Sequence, residues 1–209
     1  MPKPLLPLRG KPILEHVLLQ LEDAAVPQIY VSVHYLHEKI EAFVQNRDNR
    51  ARIDLVHETD LRGTAGALAL LPKRLAEPIL VMNGDIITDV NLPAMARFHE
   101  EHGNDATIGI TTYACEIPFG VVRHDERGAF AGIDEKPTKR FPVLAGIYIL
   151  SPSAVAITPR DRRIDMPDLL MMGMEMGLRI GTFPIHEYWI DVGQPHDFAT
   201  AETAIGMLD

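Results

Sequence analysis

The sequence predicts an α/β fold with a mainly parallel sheet flanked by helices, on three observations. Strand-like and helix-like segments alternate three times in the first hundred residues, the rhythm of βα units. Pro78-Ile-Leu-Val-Met82 is a continuous apolar run, as expected of a strand covered on both faces. Acidic residues follow strand ends directly, and open α/β sheets place their ligands there.

The elements follow in order. Pro12 opens a helix with Ile13, Leu14, Val17, Leu18 and Leu21 at helical spacing. Gln28 to Val33 reads as a strand, Leu36 to Val44 as a short amphipathic helix and Arg52 to Val56 as a second strand. Gly63 to Leu71 is small and apolar, a helix packed closely on the sheet. Asn91 caps a helix over Leu92 to Glu101. The second half changes rhythm. Thr107–Tyr113, Gly120–Arg123, Ala129–Ile133 and Val143–Leu150 are extended runs joined by short turns, an antiparallel or mixed region. Asp165-Met-Pro-Asp168 starts a Met-rich helix, Leu178 to Trp189 returns to strand, and Gln194 to Leu208 forms a closing helix. With no repeat or linker, residues 1–209 read as one domain.

Composition sets the class. Apolar residues make up 46% and charged residues 23%, ordinary for a globular chain. A net charge of −9 argues against nucleic-acid binding, which needs clustered Lys and Arg. No apolar run reaches the roughly 18 residues of a membrane span, and no basic-then-apolar leader opens the chain. Cys115 is the single cysteine and has no internal disulfide partner, which suits a reducing cytosol. It reads as a small buried hydrophobe rather than a nucleophile.

Several positions carry chemistry. Asn83-Gly84-Asp85 ends the apolar strand, and a carboxylate beside a glycine suits a hard cation and a phosphate; a turn carboxylate is the equal alternative. Trp189-Ile-Asp191-Val-Gly193 repeats the pattern, so two strand-end carboxylates could share one metal, or Asp191 could cap a helix. Lys3 and Lys11 sit on a rigid, Pro-rich extended segment that is either a phosphate contact or a surface connector. Gly63-Thr64-Ala-Gly66 starts a helix, whose free N–H groups suit anions or ring carbonyls; close packing explains the small residues equally well. Glu135-Lys136 pairs an acid and a base at a strand end, or simply makes a solvated turn. His99 and His102 read as part of a solvated helix face rather than a metal pair.

In this order, Lys3-Pro-Leu-Leu-Pro7 with Gly10-Lys-Pro12, Gly63-Thr-Ala-Gly66, Asn83-Gly-Asp85, Phe119-Gly-Val-Val122, Glu135-Lys-Pro137, Ala145-Gly-Ile-Tyr148 and Trp189-Ile-Asp-Val-Gly193 resemble the nucleotide-sugar pyrophosphorylase, or sugar-1-phosphate nucleotidyltransferase, family. The resemblance spans essentially the whole chain and is nearest to mannose- and hexosamine-1-phosphate guanylyltransferases. It implies a Rossmann-like, GT-A-like domain that transfers a nucleoside monophosphate from a triphosphate to a sugar-1-phosphate. Pyrophosphate leaves after in-line attack on the α-phosphorus. By motif match, Asp85 and Asp191 would hold Mg²⁺, and Lys3 would contact the reacting phosphates. Glu58, Gly63, Thr64 and Gly84 fall on the nucleotide side. Gly120, Glu135, Lys136 and Gly146 fall on the sugar-phosphate side.

Glu58 stands where the family carries Gln or Glu against the base edge. An ionised Glu only accepts hydrogen bonds, and guanine alone of the relevant bases presents two adjacent donors, so Glu58 favours GTP. Two departures accompany the resemblance. The family's opening strand and Gly-rich phosphate loop are expected just before Pro2, so the domain reads as N-terminally truncated, with its first strand missing and a sheet edge that a homodimer would cover. Leu144 replaces the Asn usual against the sugar. The competing readings are a non-catalytic ligand-binding or regulatory relative, and a dinucleotide oxidoreductase, for which no G-x-G-x-x-G opens a βαβ unit.

Overall fold

The structure is a computed structural model that describes residues 2–34, 36–72 and 75–192. A 3-10 turn over Lys3–Leu5 leads into a tight hairpin of β1 (Pro7–Leu8) and β2 (Lys11–Pro12). Then come α1 (Ile13–Asp23), β3 (Gln28–Val33), α2 (His37–Gln45), β4 (Arg52–His57) and a short α3 (Gly63–Gly66) that continues as a 3-10 turn to Leu70. β5 (Ile79–Met82), β6 (Ile86–Thr88) and α4 (Leu92–Glu101) follow. The second half holds β7 (Ala106–Glu116), β8 (Val121–His124), β9 (Phe130–Asp134), β10 (Thr138–Leu150), α5 (Pro152–Ala156), α6 (Met166–Glu175), β11 (Ile180–Pro184) and β12 (Trp189–Asp191).

The helical spacing of α1 buries Leu14, Val17, Leu18 and Leu21 together. They join Ile29 and Val33 of β3, Ile40 and Val44 of α2, and Ile86 and Ile147 of the second half in one core. α1 and the end of α2 are also tied by charge. Glu22 has a fully buried carboxylate that accepts from Arg47 Nη1 and Nη2 at 2.6 and 2.7 Å and from the Arg50 amide at 2.9 Å. Arg47 in turn reaches Glu15 at 2.8 Å. These bonds, led by that from Arg47, hold the Glu22 carboxyl down at about 2.

The sheet is mixed. β3 and β4 pair in parallel, and the larger sheet runs β11-β7-β10-β5. Only β7–β11 is parallel within it. The parallel share is therefore smaller than the strand–helix alternation implied. The cause is β10, which returns antiparallel between β5 and β7, so the apolar run at β5 gains an antiparallel neighbour. Beyond β7 and β10 the ribbon continues as the β8–β9 hairpin. The Ile117 amide donates to the Pro137 carbonyl at 3.0 Å across the junction. A register shift between Leu144 and Tyr148 marks a bulge in β10, with Gly146 inside it.

Several expectations change. The Lys3 segment turns in a 3-10 helix rather than running extended, with the Leu6 amide closing on the Lys3 carbonyl. Leu178 to Trp189 divides into β11 and β12. Cys115 is exposed, because the outer half of β7 extends past its pairing with β11. His99 is buried, not solvated: it continues the inward stripe of Leu92 and Met95. Its ring nitrogens contact Thr107 Oγ1 at 2.9 Å and Ser151 Oγ at 3.1 Å, and burial pushes its pKa down. His102 is exposed and stacks on Phe98. Asn91 caps α4 as expected, accepting from the Ala94 amide. The anticipated helix from Gln194 to Leu208 lies outside the described residues. Among those described, no helix is long and apolar enough to cross a membrane.

Candidate functional site

Two strands of three residues build the centre. β6 and β12 pair antiparallel, setting Trp189 against Thr88, Ile190 against Ile87 and Asp191 against Ile86. The Val192 amide then donates to the Asp85 carbonyl at 2.9 Å. Asp85 and Asp191, distant in sequence, therefore stand at one end of the same two-stranded ladder. Trp189 Nε1 anchors β12 to β10 through the Ala145 carbonyl at 2.8 Å. A small apolar cluster of Leu8, Ile13, Ile87 and Val192 ties the N-terminal hairpin to both strands. That linkage carries Lys3 to the centre, where its Nζ donates to Asp85 Oδ2 at 2.5 Å. Both groups are about one-third exposed, so the pair adds little to stability. It does fix a positive charge against the carboxylate.

Glycines shape the turn that bears Asp85. The Asn83 amide donates to the Gly146 carbonyl at 3.0 Å. Gly146 has φ +69°, and a Cβ there would run into Ile86 and the Asn83 side chain. Only glycine combines that backbone with so close an approach. Around Gly84 there is open space for another group.

A second group lies on the loop after β4. Glu58 is half-buried and its carboxylate is held at both oxygens. Ser32 Oγ donates to Oε1 at 2.5 Å, and the Arg62 amide donates to Oε2 at 3.1 Å. Gly63 follows with φ +80°. The N–H groups expected to stand free at the start of α3 are in part engaged within the protein: that of Thr64 by Asp165 Oδ1 at 2.9 Å and that of Ala65 by the Ile164 carbonyl at 3.2 Å. The third group sits at the ribbon junction. A Cβ on Gly120 would come within 2.9 Å of Glu135 Oε2, so Glu135 folds back over Gly120. Lys136 is exposed and adopts a left-handed backbone at φ +43°.

The structure thus brings Lys3, Gly84, Asp85, Gly146 and Asp191 together. It gathers Glu58, Gly63 and Thr64 on the segment that leads from β4 into α3, and Gly120, Glu135 and Lys136 at one junction. Gly193 lies outside the described residues. Two residues that hold these groups were not singled out in the sequence, Ser32 and Asp165. Asp165 had a local signal, an acid just before a Met-Pro helix start, but nothing in its neighbourhood announced a partner a hundred residues away. A cleft of about 540 Å³ behind β6 is a separate feature. Three of its polar side chains are engaged, His16 with the Leu8 carbonyl, Thr88 with the Tyr188 carbonyl and Asn91 with α4, while the buried Tyr188 hydroxyl has no hydrogen-bond partner among the described residues.

Two carboxylates on adjacent strand ends leave most coordination positions of a hard cation to other oxygens. That is the usual way Mg²⁺ sits between a protein and substrate phosphates. Among the described residues no group of three or more His, Cys, Asp or Glu could enclose a metal, so a closed protein cage is not what these side chains build.

A family model described as "Nucleotidyl transferase" matches residues 1–206. The chain is 35% identical, across 95% of its length, to the mannose-1-phosphate guanylyltransferase catalytic subunit beta of Drosophila pseudoobscura pseudoobscura, and covers 55% of that protein. It is 32% identical to mannose-1-phosphate guanylyltransferase 1 of Arabidopsis thaliana and covers 57% of it. The chain thus spans little more than half the length of these curated relatives. Among solved structures, HddC from Yersinia pseudotuberculosis complexed with GMP-PN superposes with a TM-score of 0.75 at 23% identity, covering 98% of this chain and 90% of that one. A UDP-glucose pyrophosphorylase complexed with UDP-glucose gives 0.74 at 16%, covering 100% and 92%. At those identities the likeness speaks to the fold, a Rossmann-like GT-A arrangement.

Proposed function

This chain belongs to the nucleotidyl transferase family, and from that premise we propose that it transfers GMP from GTP to a hexose- or hexosamine-1-phosphate, mannose-1-phosphate first among them, releasing pyrophosphate. The observation that carries this reading is the β6–β12 ladder, which sets Asp191 opposite Ile86 and so brings it to the same ladder end as Asp85, where Lys3 bonds the Asp85 carboxylate. In-line attack of a sugar phosphate on the α-phosphorus needs no covalent intermediate, so positioning and charge neutralisation do the catalysis. Asp85 and Asp191 would hold Mg²⁺, which when bound neutralises phosphate charge. Lys3 contributes a cation on a short tether and can exchange its carboxylate partner for a phosphate oxygen. Glu58 and the Gly63–Thr64 turn receive the base, with Gly84 leaving room for the nucleotide. Gly120, Gly146, Glu135 and Lys136 receive the sugar phosphate, Glu135 accepting from sugar hydroxyls and Lys136 facing the phosphate. The partners are a nucleoside triphosphate and a sugar-1-phosphate, the compartment is the cytosol, and a homodimer is the proposed assembly.

The test is direct. The chain is incubated with each nucleoside triphosphate, Mg²⁺ and a panel of sugar-1-phosphates while pyrophosphate release is followed. GTP with mannose-1-phosphate should give the highest kcat/KM. Absence of turnover with every pair would overturn the enzymatic reading and favour a ligand-binding relative.

A further inference from the structure

α3 and α6 exchange their caps. Asp165 occupies the N-cap position of α6 with extended backbone, where an Asp normally accepts from its own helix. It makes no such bond. Its Oδ1 accepts from the Thr64 amide of α3 at 2.9 Å, and Thr64 Oγ1 accepts from the Met166 amide of α6 at 2.8 Å. Each helix start is thus satisfied by the side chain of the other. Two backbone bonds brace the exchange: the Ile164 amide donates to the Arg62 carbonyl at 2.9 Å, and the Ala65 amide to the Ile164 carbonyl at 3.2 Å. Arg62 Nη1 adds a bond to the Arg160 carbonyl at 2.9 Å. Gly63 is pressed into this contact, since a Cβ there would lie 2.5 Å from Ile164 O and 2.6 Å from Asp165 Oδ1.

The segment so fastened runs from Glu58 through the loop into the first residues of α3, Gly63 and Thr64. Its Arg62 amide also donates to the Glu58 carboxylate, so one chain of bonds runs from Asp165 to the base-reading acid. A capping Asp inside its own helix would stabilise α6 equally well. Crossing over instead fixes where the loop stands. We infer that Asp165 is a positioning residue for the nucleotide base, acting through the Thr64 amide on Gly63 and Glu58. The inference rests on the guanylyltransferase reading for the identity of the base. The Thr64 bond also holds the Asp165 carboxyl below its ordinary range, so it stays ionised at neutral pH.

The test uses Asp165→Ala and Asp165→Asn. The alanine variant should weaken GTP binding about tenfold, measured calorimetrically without turnover, and raise the KM for GTP by a similar factor. The KM for the sugar-1-phosphate and the kcat at saturating GTP should stay within about twofold. Asn keeps an oxygen for the Thr64 amide and should restore most of the GTP affinity. A lowered melting temperature with both KM values changed equally, or with GTP affinity unchanged, would assign Asp165 a structural role only and overturn the inference. If the parent chain turns over but the two KM values do not separate, this inference alone fails. If the parent binds no nucleoside triphosphate at all, the functional reading fails with it.

Discussion

Glu58 is the residue on which nucleotide choice turns. Ser32 and the Arg62 amide each take one lone pair of its carboxylate, and both oxygens keep further acceptor capacity. Held at both oxygens, the side chain offers two parallel acceptors in a fixed plane, matching the adjacent N1–H and N2–H donors of guanine. Uracil and thymine place a carbonyl on each side of their single ring N–H, so a carboxylate meets repulsion there. Glu58→Gln replaces one acceptor with a donor at nearly constant volume. The expected outcome is a fall in the GTP-to-UTP ratio of kcat/KM of about tenfold or more, equivalent to at least ~1.4 kcal/mol of discrimination. An unchanged ratio would remove Glu58 from the specificity argument. Glu58 is legible in the sequence only through the family resemblance, at the position that carries Gln or Glu. Ser32 is hidden, because one polar residue on an alternating strand is an ordinary outward-facing side chain.

Between elements, the bond that matters most for stability joins α1 to the turn after α2. Glu22 sits at a helical position that continues the buried stripe of Leu14, Leu18 and Leu21, so its carboxylate is carried inward with no water to solvate it. Arg47 and the amides of Arg50 and Ala51 replace that water. Removing one member of a buried pair strands the other, so Glu22→Gln should cost roughly 3–5 kcal/mol at pH 7, read by urea unfolding. The pH dependence has a definite sign. Glu22 falls from its ordinary 4.5 to about 2 on folding, so its contribution is complete above pH 4.5 and is lost as pH falls from there toward 2. The gap between wild type and Glu22→Gln should therefore narrow between pH 4.5 and 3. A gap that stays constant over that range would show that the lost interaction is not that of the carboxylate. Periodicity announced the helix here but not the acid within its buried face, because apolar spacing cannot see a charge whose partner comes from another element. His99 hides for the same reason: its charged neighbours imply a wet face, while its partners are Thr107 on β7 and Ser151 at the start of α5.

At the scale of the whole molecule, the centre exists only because the chain closes on itself. Local patterns revealed the longer strands, most of the helices and both carboxylates, but not the short β1, β2 and β6, nor the break between β11 and β12. They did not reveal that β10 returns antiparallel between β5 and β7, since a central apolar strand looks alike with either kind of neighbour. The pairing of β6 with β12 was likewise beyond local reading, because three residues carry too little pattern to name a partner. That pairing makes a sharp prediction about catalysis. If Asp85 and Asp191 act on one shared cation, losing either carboxylate forfeits the charge neutralisation that both supply. Asp85→Asn and Asp191→Asn should each lower kcat by about 10²–10³ and raise the Mg²⁺ concentration for half-maximal rate. The double variant should then be little worse than the poorer single, because groups acting as a unit are strongly non-additive. Independent carboxylates would instead multiply their losses to about 10⁴–10⁶, the square of the single effect. Initial rates of pyrophosphate release for the four proteins, measured across a Mg²⁺ series, separate the two outcomes. A multiplicative loss, or a single variant at wild-type rate, would mean that the ladder joins the two acids in space without joining them in function.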